Sequence, residues 1–221
     1  VYRYRGILDE KGEPDQVVVK DDNTLKLVSN YAAGFFALGS TYEVRREFEK
    51  AIKAYEMGKK FRPGERLPFN YHLSQLYLSV GDLDKAEREL LEAKEDRPDE
   101  IYTYYLLGEV YRRKGETEKV FENYQKVIDL DPQSPLGWMG LISLYTGTGD
   151  QGRLDSLYSE MMKNPQLIGS LVRLYDQRGE TTQAMTLLER WLTAHPGDPR
   201  AEQLLKSYRL KSPKKPTKAR S

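Results

Sequence analysis

Leucine and tyrosine four residues apart form the strongest pattern along this chain: Leu38/Tyr42, Leu73/Tyr77, Leu107/Tyr111, Leu141/Tyr145 and Leu171/Tyr175. Four residues is about one helical turn, so each pair shares a helix face. The tyrosines recur at intervals of 35, 34, 34 and 30 residues. Nine residues after each tyrosine stands a small or aliphatic residue: Ala51, Ala86, Val120, Leu154 or Ala184. Four further on comes a larger one: Tyr55, Leu90, Tyr124, Tyr158 or Leu188. This second stripe predicts a partner helix, with the small residue where the two backbones come closest. Between the stripes lie Gly81, Gly115, Gly149 and Gly179, with Arg46 in the first unit. Glycine there predicts a turn of positive φ. Pro63, Pro98, Pro132 and Pro196 then end the second helices.

A helix–turn–helix unit of about 34 residues with these residue types resembles the tetratricopeptide repeat. The third unit, IYTYYLLGEVYRRKGETEKVFENYQKVIDLDPQS, follows the family pattern almost throughout. The resemblance covers residues 32–198 and implies an all-α fold, a right-handed α-solenoid of five helix pairs. The units fall at 32–65, 67–100, 101–134, 135–164 and 165–198, with the first helix extended forward to residue 23. Unit four is four residues short, and Pro165 follows it directly. The deficit is expected at the end of its second helix, near Met161 and Met162, with a change of stacking between units four and five. Residues 199–210 predict a capping helix, with Asp198 as N-cap, Pro199 as first helical residue and Leu204, Leu205 and Tyr208 on one side. Residues 1–22 lie outside the repeat, VYRYR and QVVVK reading as strand-like. The basic tail 211–221 is expected to be disordered.

Composition narrows the chemistry. There is no cysteine, which excludes disulfides and thiolate metal sites. Lys and Arg balance Asp and Glu to a net charge of +1. Lys211, Lys214, Lys215, Lys218 and Arg220 are unopposed by any acid in the tail, so the body before it is mildly acidic. No apolar run is long enough to cross a membrane, and no signal peptide is visible. A start at Val1 is expected of a piece cut from a longer chain. Gly147-Thr-Gly149-Asp-Gln-Gly152 spells G-x-G-x-x-G, but a helix rather than a strand is expected before it, and Gly149 is the repeat's turn glycine. His72 and His195, the only histidines, have no neighbour at metal-ligand spacing. Asp129 with Asp131, and Glu95 with Asp96, read as solvated helix ends. Trp138 and Trp191 read as core. No catalytic, cofactor or metal site is predicted, and the chain is not expected to be an enzyme.

What remains is surface. The resemblance implies a concave groove lined by the first helices, which maps here onto Phe36, Ser40, Tyr71, Gln75, Tyr102, Tyr105, Glu109, Arg112, Arg113, Met139, Ser143 and Arg173. Tyrosine beside Arg and Gln suits a protein or peptide partner; the alternative is that these tyrosines pack between repeats. Some family members clamp chaperone tails with groove cations, whereas the matching positions here hold Phe36, Ser40, His72, Tyr102 and Leu106. No small-molecule or nucleic-acid partner is expected, and self-association through the array's ends is open. YRYRGILD and DDNTLKLVSNYAAGFFAL also resemble the stretch after the last membrane span in bacterial proteins similar to protein O-mannosyltransferases. That resemblance implies a water-soluble, extracytoplasmic accessory region of a membrane-bound glycosyltransferase-like protein.

Overall fold

The computed structural model describes residues 22–61 and 66–211. The expectations for residues 1–21, for Pro63 and for the tail beyond Lys211 fall outside the described residues. All described regular structure is helical. The helices are α1 (Asp22–Val44), α2 (Phe48–Phe61), α3 (Leu67–Val80), α4 (Leu83–Asp96), α5 (Ile101–Lys114), α6 (Thr117–Leu130), α7 (Pro135–Thr148), α8 (Gln151–Met161), α9 (Pro165–Gln177), α10 (Thr181–Ala194) and α11 (Pro199–Lys211). They fall into two compact units, one within residues 1–116 and one within 117–221. Thus α5 is the last helix of the first unit and α6 the first of the second.

The turns between paired helices repeat one hydrogen-bond scheme. After each first helix, the N–H of Glu47, Asp82, Glu116, Asp150 or Glu180 donates to the carbonyl of Tyr42, Tyr77, Tyr111, Tyr145 or Tyr175. This closure satisfies carbonyls that a helix end leaves open, and it needs a left-handed residue just before the donor. Gly81, Gly115, Gly149 and Gly179 supply it with φ between 72° and 83°. In the first repeat Arg46 takes the same conformation at φ 60°, the only described non-glycine residue to do so.

The core of each unit follows from the two stripes. In the first unit α1 packs on α2 and α3 on α4, while α2 also meets α3 and α4 meets α5. Ala51 and Tyr55 of α2, and Ala86 and Leu90 of α4, are completely buried. In the second unit α6 packs on α7, and α9 on α10. Tyr124 of α6 lies flat on α7, so a Cβ on Gly140 would fall 2.6 Å from its ring. The C-terminal α11 covers α10 with Ala201, Leu205 and Tyr208. Asp198 caps it, accepting from the Arg200 and Ala201 N–H groups at 3.0 and 3.2 Å.

Three residues depart from the pattern. Leu204 points to solvent rather than inward, because the buried face of α11 runs through 201, 205 and 208, and Ala201 takes the place expected for it. Leu38 is 41% exposed, although its equivalents Leu73, Leu107, Leu141 and Leu171 are at most 2% exposed. Tyr158 is only half-buried. It lies on α8, which has 11 residues where the other second helices have 14. The shortened helix stops at Met161, and Asn164 caps α9 by accepting from the Leu167 N–H at 3.1 Å. With its last turn missing, α8 does not meet α9 as α2 meets α3; α9 rests on α7 and α10 instead.

Candidate binding surface

In the first unit, the exposed sides of α1, α3 and α5 carry side chains that organise one another. The Tyr71 hydroxyl shares a hydrogen bond of 2.8 Å with Thr103 Oγ1, and Gln75 Nε2 donates to the Tyr102 hydroxyl at 2.8 Å. The Tyr71 and Tyr102 rings meet edge to face with centroids 5.2 Å apart, and Tyr102 stacks on Tyr105 at 6.0 Å. Burial, with smaller contributions from Glu100 and Tyr102, pushes the Tyr71 hydroxyl up to about 12, so it stays a neutral group at working pH. Tyr71, Gln75 and Tyr102 remain half-buried; Tyr105 is buried.

A second cluster sits one repeat earlier. The Phe36 ring meets Tyr55, Phe69 and His72 edge-on at 5.4, 5.4 and 5.0 Å. Glu43 accepts from the Tyr55 hydroxyl at 2.9 Å through Oε2, and the same oxygen lies 3.0 Å from His72 Nδ1. Burial first, then Glu43, raises the Tyr55 hydroxyl pKa, while Ser40 opposes the shift. Glu43, Tyr55 and His72 come from three helices 12 to 29 residues apart, and no periodic signal in the sequence joins them.

Two of the three cations expected to face a ligand are already engaged. Arg112 donates to Glu109 at 2.9 Å. Arg113 donates to the Leu78 carbonyl at 2.7 Å, holding the last turn of α3. In the second unit Met139 of α7 is buried, whereas Ser143 of α7 and Arg173 of α9 are exposed. The structure therefore brings together Tyr71, Gln75, Tyr102 and Tyr105, turns Phe36 towards packing, and ties Arg112 and Arg113 to partners within the unit.

Other sequence candidates take structural places. Trp138 Nε1 donates to the Pro132 carbonyl at 3.0 Å, and Trp191 Nε1 to Asp198 at 2.9 Å. His195 stacks on Trp191 with ring centroids 3.7 Å apart. Gly149 is the C-cap of α7 with φ 72°, so the G-x-G-x-x-G string runs from one helix into another. Among the described residues no cluster has metal-ligand geometry, and no helix is long and apolar enough to cross a membrane.

Two tetratricopeptide-repeat profiles match the chain, one at residues 67–99 and 101–134 and the other at 151–208, together more than half its length. The chain belongs to the tetratricopeptide-repeat family. Its relatives include the CTR9 homologue of Arabidopsis thaliana, 29% identical over 55% of this chain and 12% of that protein. Another is the anaphase-promoting complex subunit CDC16 of Saccharomyces cerevisiae, 25% identical over 80% of this chain and 22% of that protein. The chain thus spans less than a quarter of the length of each. Among solved structures, a MamA protein superposes with a TM-score of 0.56 at 18% identity, over 80% of this chain and 95% of that one. A thermophilic TPR protein of Thermus thermophilus gives 0.50 at 18% identity, over 81% and 99%. A TPR domain of Spaghetti (RPAP3) bound to the HSP90 peptide SRMEEVD gives 0.50 at 17% identity, over 55% and 95%. These likenesses establish the fold. Tetratricopeptide-repeat proteins are in general non-catalytic scaffolds that bind proteins or peptides.

Proposed function

We propose that this tetratricopeptide-repeat chain is a scaffold that holds an extended protein or peptide segment against its first helices, centred on Tyr71, Gln75 and Tyr102. The observation that carries this reading is the mutual fixing of those side chains. Both tyrosine hydroxyls are already held, by Thr103 and by Gln75, so binding costs little side-chain entropy. Rigid, half-buried aromatic rings are the usual anchors of an interface. Ser40, Glu109 and Arg112 border this face in the first unit, and buried Tyr105 supports it from beneath. The second unit offers a face of its own, with Ser143 and Arg173 exposed and Met139 beneath.

Peptides ending in paired carboxylates are weak partners on this reading. Arg112 and Arg113 are committed to Glu109 and Leu78, and the clamp positions offer Phe36, Ser40 and Leu106 instead of cations. The peptide held by the RPAP3 domain is thus no guide to the peptide held here. The test is affinity capture with the full chain, its Tyr102→Ala and Gln75→Ala variants, and Arg88→Ala on α4 as a control. Partners lost from the first two and kept by the control are expected, each loss amounting to about 2 kcal/mol for an anchor. Partners retained by Tyr102→Ala in a chain of unchanged helicity refute the proposal.

A second reading, an accessory region of a membrane-bound glycosyltransferase-like protein, rests on the resemblance of the leading residues. It is compatible with the first and requires apolar spans of about 20 residues upstream in the full-length protein.

A further inference from the structure

The first helices of the first unit carry few charges, and most of these are answered within the chain. Beyond Asp22 at its start, α1 has only Lys26 and Glu43, and α3 has no charged residue apart from its histidine, His72. On α5 stand Glu109, Arg112, Arg113 and Lys114. Arg112 pairs with Glu109, Lys114 with Asp84 and Glu87 of α4, and Arg113 donates to the Leu78 carbonyl.

Glu43 differs from the rest. No lysine or arginine among the described residues pairs with it, although Arg45 and Arg46 follow it in the turn. Its Oε2 is held instead by the Tyr55 hydroxyl at 2.9 Å and by His72 Nδ1 at 3.0 Å. Both holders are fixed: Tyr55 is completely buried, and the His72 ring stacks on it at 4.8 Å with Phe36 edge-on at 5.0 Å. One carboxylate oxygen thus has both lone pairs taken. The other, Oε1, takes no hydrogen bond among the described residues, and the side chain is 31% exposed.

We propose, resting on the reading of this face as a peptide-binding surface, that the segment held there carries a lysine or arginine side chain received by Glu43. His72 lies next to Tyr71 and three residues before Gln75 on α3, so the carboxylate it positions borders the tyrosines. A carboxylate is an acceptor only, and its strongest partner is a donor that brings positive charge. Glu43 is oriented beforehand, so the pairing costs side-chain entropy chiefly in the ligand. The Phe36 and His72 rings beside it offer an apolar wall to the aliphatic stem of a basic side chain. Arg113 keeps its charge because its partner is a neutral carbonyl. It repels a second cation at α5, which directs the basic side chain to the α1 end of the face.

The test pans a displayed library of random decapeptides on the immobilised full chain and on its Glu43→Gln, Tyr102→Ala and Glu95→Gln variants. Glutamine at 43 keeps an acceptor for Tyr55 and His72 and removes the charge. Glu95 is an exposed acid of α4, so its variant removes the same charge elsewhere. Peptides recovered on the wild type and on Glu95→Gln should carry Lys or Arg at one preferred position, enriched about 5-fold or more. Glu43→Gln should still recover peptides, without that preference. In titration, replacing the basic residue of a recovered peptide by glutamine should weaken binding to the wild type about 10-fold and leave binding to Glu43→Gln unchanged. Peptides that require Tyr102 yet show no basic position, or the same preference on Glu43→Gln, overturn this proposal and leave the binding face standing. Peptides recovered equally by Tyr102→Ala overturn the binding face and this proposal with it, as does a wild type that recovers none.

Discussion

Two glycines in the second unit should respond in opposite directions to the same substitution. Gly140 lies in α7 beneath the Tyr124 ring, and an added Cβ would sit 2.6–2.7 Å from three ring atoms. Ordinary carbon–carbon contacts are about 3.5–4.0 Å, so the ring would have to retreat by about 1 Å. Tyr124 is completely buried, and a close-packed interior gives such a ring little room to retreat. Overpacking of this kind costs about 1–3 kcal/mol, while alanine in place of helical glycine returns about 1 kcal/mol. Gly140→Ala is therefore expected to destabilise the second unit, by up to about 2 kcal/mol. Gly169 lies in α9, exposed, with nothing within 4 Å of its Cβ position. Gly169→Ala should stabilise by about 1 kcal/mol through helix propensity alone. Urea unfolding followed by far-ultraviolet circular dichroism reads both, provided the slope with denaturant is unchanged. Adding Tyr124→Leu to Gly140→Ala should make the two losses less than additive, since the clash is then already relieved. Equal stabilisation by both alanines would refute the reasoning, because it would mean the ring does not hold α7 at this distance.

Two further outcomes follow from local geometry. Arg46→Gly should raise stability by about 0.5–1 kcal/mol in the same assay, because Arg46 alone among the repeat turns holds a left-handed φ with a side chain attached. Glu89 gives a pH dependence of unusual sign. Burial raises its carboxyl pKa above the ordinary 4.5 despite Lys59 at 2.7 Å, so the folded chain binds this proton more tightly than the unfolded chain. The contribution of Glu89 is fully present below pH 4.5 and is lost as pH rises through the raised folded pKa. Measured against Glu89→Gln, wild-type stability should fall as pH rises through that window; a flat difference would show the group to be solvated, and a rising one that the Lys59 pair outweighs burial.

The fold was legible because it rests on positions that repeat. Leu73, Leu107, Leu141 and Leu171 are buried for one reason four times over, and the turn glycines recur with them. A repeated constraint survives variation in any single unit, so a period can be read from one sequence. Where the period failed, the failure carried structural content: the four residues missing after Tyr158 end α8 early and turn α9 towards α7. Leu204 turned out exposed because the buried face of α11 is narrow, running through Ala201, Leu205 and Tyr208, and Leu204 falls outside it.

The binding surface lacks that redundancy. Gln75 reaches Tyr102 across 27 residues, and His72 reaches Glu43 across 29, each once and in one repeat only. A ligand contacts a few positions that need not resemble one another, so selection on them leaves no period. Arg112 and Arg113 make the same point from the other side. Adjacent in sequence and both cationic, they are spent on an intrahelical pair and on a helix end 35 residues earlier. Their charge is visible in the sequence, but its availability is a property of the fold. The same holds for Leu38, whose repeat partners made it read as core and which is exposed on the first of the described helices. Residues that hide apolar surface from water can be found by pattern, because every unit must do it; residues that meet a partner are found only after the hidden ones have been placed.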